Sequence, residues 1–106
     1  MDYSLKWTST AKNDLTEIIE YIAFDNIEIA KEKLKKIKEY VEQIKIFPEK
    51  GRIVPELYKE NISKYREAII SPWRIIYSID KEIIHVLAVI DGRRNIEDIL
   101  MRRQLR

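Results

Sequence analysis

The sequence predicts an α+β fold. An N-terminal strand and a C-terminal three-stranded meander form one mainly antiparallel sheet, and an antiparallel helical hairpin packs on one face of it. Three patterns carry this. Apolar runs at 73–79 and 83–90, rich in Ile, Val, Tyr and Trp, are joined only by Asp80, Lys81 and Glu82, and so short a link forces an antiparallel pair. Two stretches before residue 46 repeat apolar residues every three or four positions, the period of a helix buried on one side. Tyr3, Leu5 and Trp7 alternate with Ser4, Lys6 and Thr8, the period of a strand with one buried face.

In chain order, residues 2–8 read as the first strand. Ser9 or Thr10 offers the N-cap of a helix whose apolar stripe is Ala11, Leu15, Ile18, Ile19 and Ile22, with Asp14, Glu17 and Glu20 outside. The helix ends near Phe24-Asp25-Asn26, where Asp and Asn favour a turn. Ala30, Leu34, Ile37, Val41 and Ile44 mark the second helix, and its run of Lys and Glu is a solvated face. The short connection makes the two helices an antiparallel pair. Pro48 ends the second helix and Gly51 permits a positive φ. Residues 53–64 read as a loop with a short turn at 56–58. A strand at 66–70 then turns at Ser71-Pro72, since Pro cannot continue a central strand. The two long runs follow. Ile96, Ile99, Leu100 and Leu105 suggest a short amphipathic helix or a packed tail, with Asn95 as its cap.

At 106 residues, 45% hydrophobic and 36% charged, the chain is expected to form a single globular domain over 1–106. No apolar run approaches the roughly 20 residues of a bilayer span, and the first residues do not resemble a signal peptide, so the expected location is cytoplasmic. There is no cysteine and one histidine, which excludes thiolate and multi-histidine metal sites within one chain. With two glycines there is no phosphate-cradling loop, and no nucleophile elbow or zinc-protease motif is present; no metal or cofactor is expected.

Charge is uneven. Residues 1–51 hold nine Lys and no Arg against ten acids, a net of −1, while residues 52–106 hold eight Arg and three Lys against eight acids, a net of +3. Alternation along 73–79 puts Trp73, Ile75, Tyr77 and Ile79 under the helices and Arg74 on the opposite, open face. In the next strand Ile84, Val86, Ala88 and Ile90 are the cleaner apolar set. Arg66 also reaches the open side in this pattern. Arginines converging there make a phosphate-sized positive site; alternatively, Arg74 pairs with Glu67 or Asp91 across strands. His85 is either a titrating group for catalysis or a structural strand residue.

Beyond these patterns, an ordered set of short motifs resembles the RelE/ParE toxins of bacterial and archaeal toxin–antitoxin systems. It comprises Ala11, Asp14-Leu15, Ile18, Tyr21-Ile22 and Ala30, then Phe47-Pro48-x-x-Gly51-Arg52 and Pro55-Glu56-Leu57. Tyr65-Arg66-Glu67, Trp73-Arg74-Ile75-x-Tyr77 and Val89-Ile90-Asp91-Gly92-Arg93-Arg94 complete it. The set spans essentially the whole chain. The resemblance implies a helical hairpin on an antiparallel sheet, in agreement with the derivation above. It also implies a growth-arresting protein neutralised by a cognate antitoxin, whose extended segment wraps the sheet and hairpin, with operator DNA bound only through that antitoxin.

Two branches follow from the resemblance. RelE-like members cut mRNA on the ribosome, using the RNA's own 2′-hydroxyl, with Arg66, Arg74 and Arg94 as the matching catalytic candidates. ParE-like members poison DNA gyrase and are not nucleases. The C-terminal Tyr or His of many nucleases is replaced here by Ile99-Leu100-Met101, and no Tyr follows Tyr77, so the ParE-like branch is favoured. In either branch Arg66, Arg74, Arg93 and Arg94 are the candidates for binding target or antitoxin. A non-toxic member that only binds an antitoxin is the third possibility.

Overall fold

The computed structural model describes residues 2–103. In chain order the elements are β1 (Ser4–Trp7), α1 (Ser9–Asp25), α2 (Ile27–Gln43), a 3-10 turn (Pro48–Lys50), β2 (Arg52–Ile53), α3 (Pro55–Tyr58), β3 (Tyr65–Ile70), β4 (Trp73–Asp80), β5 (Ile83–Asp91) and α4 (Ile96–Arg102). The strands form one sheet in the order β1-β5-β4-β3-β2. Pairing is antiparallel except between β1 and β5, which run parallel. The predicted meander and the recruitment of the first strand are both present.

Thr8, rather than Ser9 or Thr10, caps α1. Its hydroxyl accepts from the Ala11 amide at 3.1 Å and donates to the Val86 carbonyl at 3.1 Å, so one side chain ends β1, starts α1 and ties both to β5. Asn26 separates the two helices: its amide donates to the Ile22 carbonyl and its side chain accepts from the Ile29 amide, each at 3.0 Å. Along α2 the residues at the predicted apolar positions Ala30, Ile37, Val41 and Ile44 are buried.

Both faces of the sheet carry a core. Under the hairpin lie Trp73, Ile75, Tyr77, Ile84, Val86 and Val89, packed on Ala11, Leu15, Ile37 and Val41. The face predicted to be open is instead covered over much of its area. Ile76, Ala88 and Ile90 pack there against Val54 and Leu57 from the α3 region and Ile96, Ile99 and Leu100 from α4. The predicted 53–64 loop therefore holds a fifth strand and a helical turn. Four residues cannot sustain a helix alone, but Val54 and Leu57 are both fully buried, each contributing about 1.5–3 kcal/mol.

Two sequence expectations are corrected by local geometry. The register between β4 and β5 slips between Ile76 and Tyr77, which face Ala88 and Val86 respectively. The extra residue, Leu87, is a β-bulge that reverses the alternation. Ile84 and Val86 thus lie under the hairpin while Ala88 and Ile90 serve the opposite core, so the apolar set predicted for one face is split. Gly51 has φ −65°, so no left-handed backbone requires it. The need is steric: a Cβ there would run into the Tyr77 hydroxyl and lie 2.7 Å from the Glu67 carbonyl oxygen. Asn95 does cap α4, accepting from the Asp98 amide at 3.0 Å; Leu105, assigned to the same element from sequence, lies outside the described residues.

Candidate functional site: the arginines of the sheet

Register decides which face each arginine takes, because residues directly opposite one another project to the same side. Arg66 is paired with Tyr77 and so lies on the hairpin face, not the side the sequence assigned to it. There it donates to the Gly51 carbonyl at 2.7 Å and the Glu49 carbonyl at 3.1 Å. Beside it the Tyr77 hydroxyl donates to the Pro48 carbonyl at 2.6 Å. Together they fasten the turn after α2 to the sheet. Burial pushes the Tyr77 phenol above its ordinary pKa, so it keeps the proton it donates.

Arg74 does take the opposite face, but it is not on open surface. Its Nε donates to Glu67 Oε1 at 2.6 Å, and Nη1 and Nη2 grip the Glu56 carboxylate at 2.8 and 2.6 Å. Its side chain is 10% exposed and that of Glu67 is fully buried. Arg52, more than half exposed, holds the other Glu67 oxygen through Nε. The four side chains alternate in charge, Arg52–Glu67–Arg74–Glu56, and fasten α3 to the sheet. Burying such ions costs several kcal/mol each unless every lone pair and proton is matched, and among the described residues no buried side-chain N or O lacks a partner. The Arg74 hydrogen bonds hold the Glu56 carboxyl below its ordinary pKa against the opposing effect of burial, and Glu56 in turn raises Arg74. Of the two sequence alternatives, the ion pair is the one present, with Glu67 as partner and not Asp91.

Asp91 pairs instead with Arg93. Arg93 Nε donates to Asp91 Oδ1 at 2.9 Å and Nη2 to Oδ2 at 2.5 Å, and the Arg93 amide adds a third bond at 2.9 Å. These bonds pull the Asp91 carboxyl down to about 2. Arg94 is exposed and, among the described residues, makes no side-chain hydrogen bond or ion pair. Gly92 between them donates to the Pro72 carbonyl at 2.7 Å, and a Cβ there would press on the Arg74 stem at 3.3 Å. Arg66, Arg74 and Arg94 therefore do not share one open face.

His85 is half-buried, with Ser78 and Lys6 as its register partners; it makes no side-chain hydrogen bond among the described residues. No group of three His, Cys, Asp or Glu among them is placed to hold a metal, and no helix among them is long and apolar enough to cross a membrane.

The sequence reading missed a further ion pair. Asp14, assigned to the outer face of α1, accepts Arg103 Nη1 and Nη2 at 2.8 and 2.9 Å and the Val89 amide at 3.0 Å. Beyond Val86 the parallel pairing with β1 has ended, so the carboxylate satisfies an amide that no strand reaches. Helical periodicity carries no signal of this, because Asp14 sits beside the buried stripe without belonging to it.

Comparison with known proteins gives a consistent picture. A structure described as the chromosomal ParDE TA system from P. aeruginosa matches with TM-score 0.69 and 23% identity, over 84% of this chain and 95% of that one. The toxin–antitoxin complex RelBE2 from Mycobacterium tuberculosis matches with TM-score 0.63 and 19% identity, over 86% and 99%. The YoeB dimer from Staphylococcus aureus matches with TM-score 0.53 and 19% identity, over 83% and 94%. At these identities the likenesses establish the fold. No curated protein matches the sequence. The sequence model of the family described as "ParE toxin of type II toxin-antitoxin system, parDE" matches residues 5–96. On that match, spanning most of the length and including the Arg74 strand and the Gly92-Arg93-Arg94 ending, the chain belongs to the ParE toxin family of type II toxin–antitoxin systems.

Proposed function

We propose that this chain, acting as a single domain in the cytoplasm, arrests growth by poisoning DNA gyrase and is neutralised by a cognate antitoxin. The observation that carries the choice of target is the state of Arg74. A ribosome-dependent nuclease of this fold needs guanidinium groups free to stabilise a phosphate in the transition state. Here Arg74 Nε and both terminal nitrogens are engaged by Glu67 and Glu56, and Arg66 is turned to the other face and bonded to backbone. The catalytic set Arg66, Arg74 and Arg94 belongs to the nuclease alternative and lacks a common site. Arg94, exposed just past β5, and Arg93, exposed there although paired with Asp91, are left as the residues for target binding.

The antitoxin partner is supported by the family and by the toxin–antitoxin assemblies among the structural neighbours. An extended segment that orders on binding suits the large surface of sheet edge and hairpin. Operator DNA is contacted through that antitoxin.

Induced expression with and without the neighbouring reading frame tests the toxin reading: arrest rescued by that neighbour supports it, and unaffected growth makes the chain a non-toxic binding module. Purified gyrase and primer extension on mRNA from arrested cells test the target. The expected result is blocked supercoiling with accumulated double-strand breaks and intact messages; cleaved messages on translating ribosomes overturn the gyrase assignment.

A further inference from the structure

Glu67 is fully buried, yet it holds two arginines at once. Arg74 Nε donates to its Oε1 at 2.6 Å, and Arg52 Nε, from the edge strand β2, donates to Oε2. Both oxygens belong to one carboxylate, so the two guanidinium groups stand side by side. Their terminal nitrogens meet different surroundings. Those of Arg74 grip Glu56 at 2.8 and 2.6 Å. Those of Arg52, whose side chain is 58% exposed, make no hydrogen bond among the described residues.

Glu56 is the loosest acid of this set. Its side chain is 28% exposed, whereas that of Glu67 is wholly buried. The helical turn that carries it has other anchors: Val54 and Leu57 are fully buried, and Lys59 Nζ lies 3.3 Å from Glu97 on α4. The turn therefore keeps its place when the Glu56 side chain rotates into solvent. What that rotation uncovers is a guanidinium pair already oriented by Glu67. Arginines fixed in this way bind an oxyanion through parallel N–H···O bonds.

We propose that Glu56 is a built-in plug: it fills an oxyanion site formed by Arg52 and Arg74, and so denies that site to the phosphate groups of nucleic acid. The proposal rests on the state of Arg74 described under the proposed function and deepens it, naming the residue that withholds the guanidinium and the ligand class withheld.

Charge and tethering both favour the plug. With Glu56 in place the two arginines and two glutamates balance, and a phosphate arriving from water gains no net attraction to offset its lost hydration. Without Glu56 the cluster keeps one positive charge in excess, open to solvent. Glu56 is also part of the chain, so it competes at a local concentration on the order of millimolar or above, without the entropy cost of a free ligand. The Arg74 hydrogen bonds hold its carboxyl below the ordinary range, so the plug stays charged at neutral pH.

The test is melting of the full chain in inorganic phosphate against chloride at equal ionic strength. Wild type is compared with Glu56→Ala, Glu56→Gln and the double variant Glu56→Ala/Arg52→Ala. The gain in phosphate is read relative to wild type, which carries any general salt effect. Glu56→Ala is expected to melt lower than wild type in chloride and to gain roughly 5–10 °C once phosphate is about tenfold above its dissociation constant. The double variant is expected to lose most of that gain. Glu56→Gln keeps the shape of the side chain without its charge; it is expected to respond in the same direction and carries the test if Glu56→Ala does not fold. A merely structural ion pair gives the lower melting temperature with no phosphate dependence, and that result overturns the proposal. So does an equal phosphate response in wild type, or a response that survives intact in the double variant. Inhibition of gyrase by wild type is scored separately. Its absence removes the gyrase assignment and leaves the plug standing, because the melting shift does not depend on the target.

Discussion

Asp14 on α1 and Arg103 just past α4 meet in a two-pronged ion pair of 2.8 and 2.9 Å, with the Val89 amide donating to the same carboxylate. The two cores of the sheet are thereby linked around the end of β5 that β1 does not reach.

Asp14→Ala is expected to destabilise the protein by about 3 kcal/mol, the scale for leaving a partly buried guanidinium without its partner. It also removes the acceptor for the Val89 amide. Hydrogen exchange separates the two effects: Val89 exchanges faster in Asp14→Ala and stays protected in Arg103→Ala, which loses only the ion pair.

Arg74→Glu is expected to unfold the domain. It places a third carboxylate against Glu56 and the buried Glu67 in place of the cation that offsets them. Arg74→Ala, by the same logic, costs roughly 3–5 kcal/mol, whereas Arg52→Ala costs less, about 1–3 kcal/mol, because it strips one donor from the buried Glu67 carboxylate while Arg74 still holds the other oxygen. Urea denaturation of the three variants checks the order. A folded Arg74→Glu protein that fails to arrest growth points to a direct role for Arg74 with the target.

Gly51 and Tyr77 are expected to be coupled. Gly51→Ala forces its methyl against the Tyr77 hydroxyl and the Glu67 carbonyl, costing about 1–3 kcal/mol. Tyr77→Phe leaves the Pro48 carbonyl without its donor, costing about 1–2 kcal/mol. The double variant is expected to be more stable than the sum of the two predicts, because deleting the hydroxyl relieves part of the clash. A double-mutant cycle by chemical denaturation reads the coupling; strict additivity contradicts it.

Acid sensitivity follows from Asp91. Its carboxyl lies at about 2 in the folded protein against an ordinary 3.8, so it binds a proton less readily folded than unfolded. The linked stability is present above about 4 and lost as pH falls through about 2. Glu56, lowered by Arg74, acts with the same sign. NMR titration of Arg93→Ala is expected to return Asp91 toward its ordinary value, and added salt weakens the pairing because Arg93 is exposed.

Much of the fold was legible because it rests on periodicity. The hairpin, the meander and the pairing of the first strand all follow from runs of apolar residues and short connections. What periodicity cannot register is a single inserted residue. Leu87 shifts the phase of β5, so Ala88 and Ile90 changed faces relative to Ile84 and Val86. Nor does it show that Val54 and Leu57, buried from within an apparent loop, help cover the second face. For the arginines, alternation placed Arg74 correctly but could not say what lay above it. Glu56, which arrives from α3 eighteen positions earlier in sequence, closes the site. Arg66 was misplaced because register, not the strand's own alternation, decides its face.

β1 has one neighbour, and that neighbour is β5. The Thr8 hydroxyl reaches a carbonyl 78 positions later, and the first helix is seated on the same distant strand. During synthesis the hairpin therefore emerges without its floor, and the amino-terminal third stays unsupported until nearly the whole polypeptide has left the ribosome. Termination before residue 83 therefore yields a chain that lacks the strand on which β1 and α1 close.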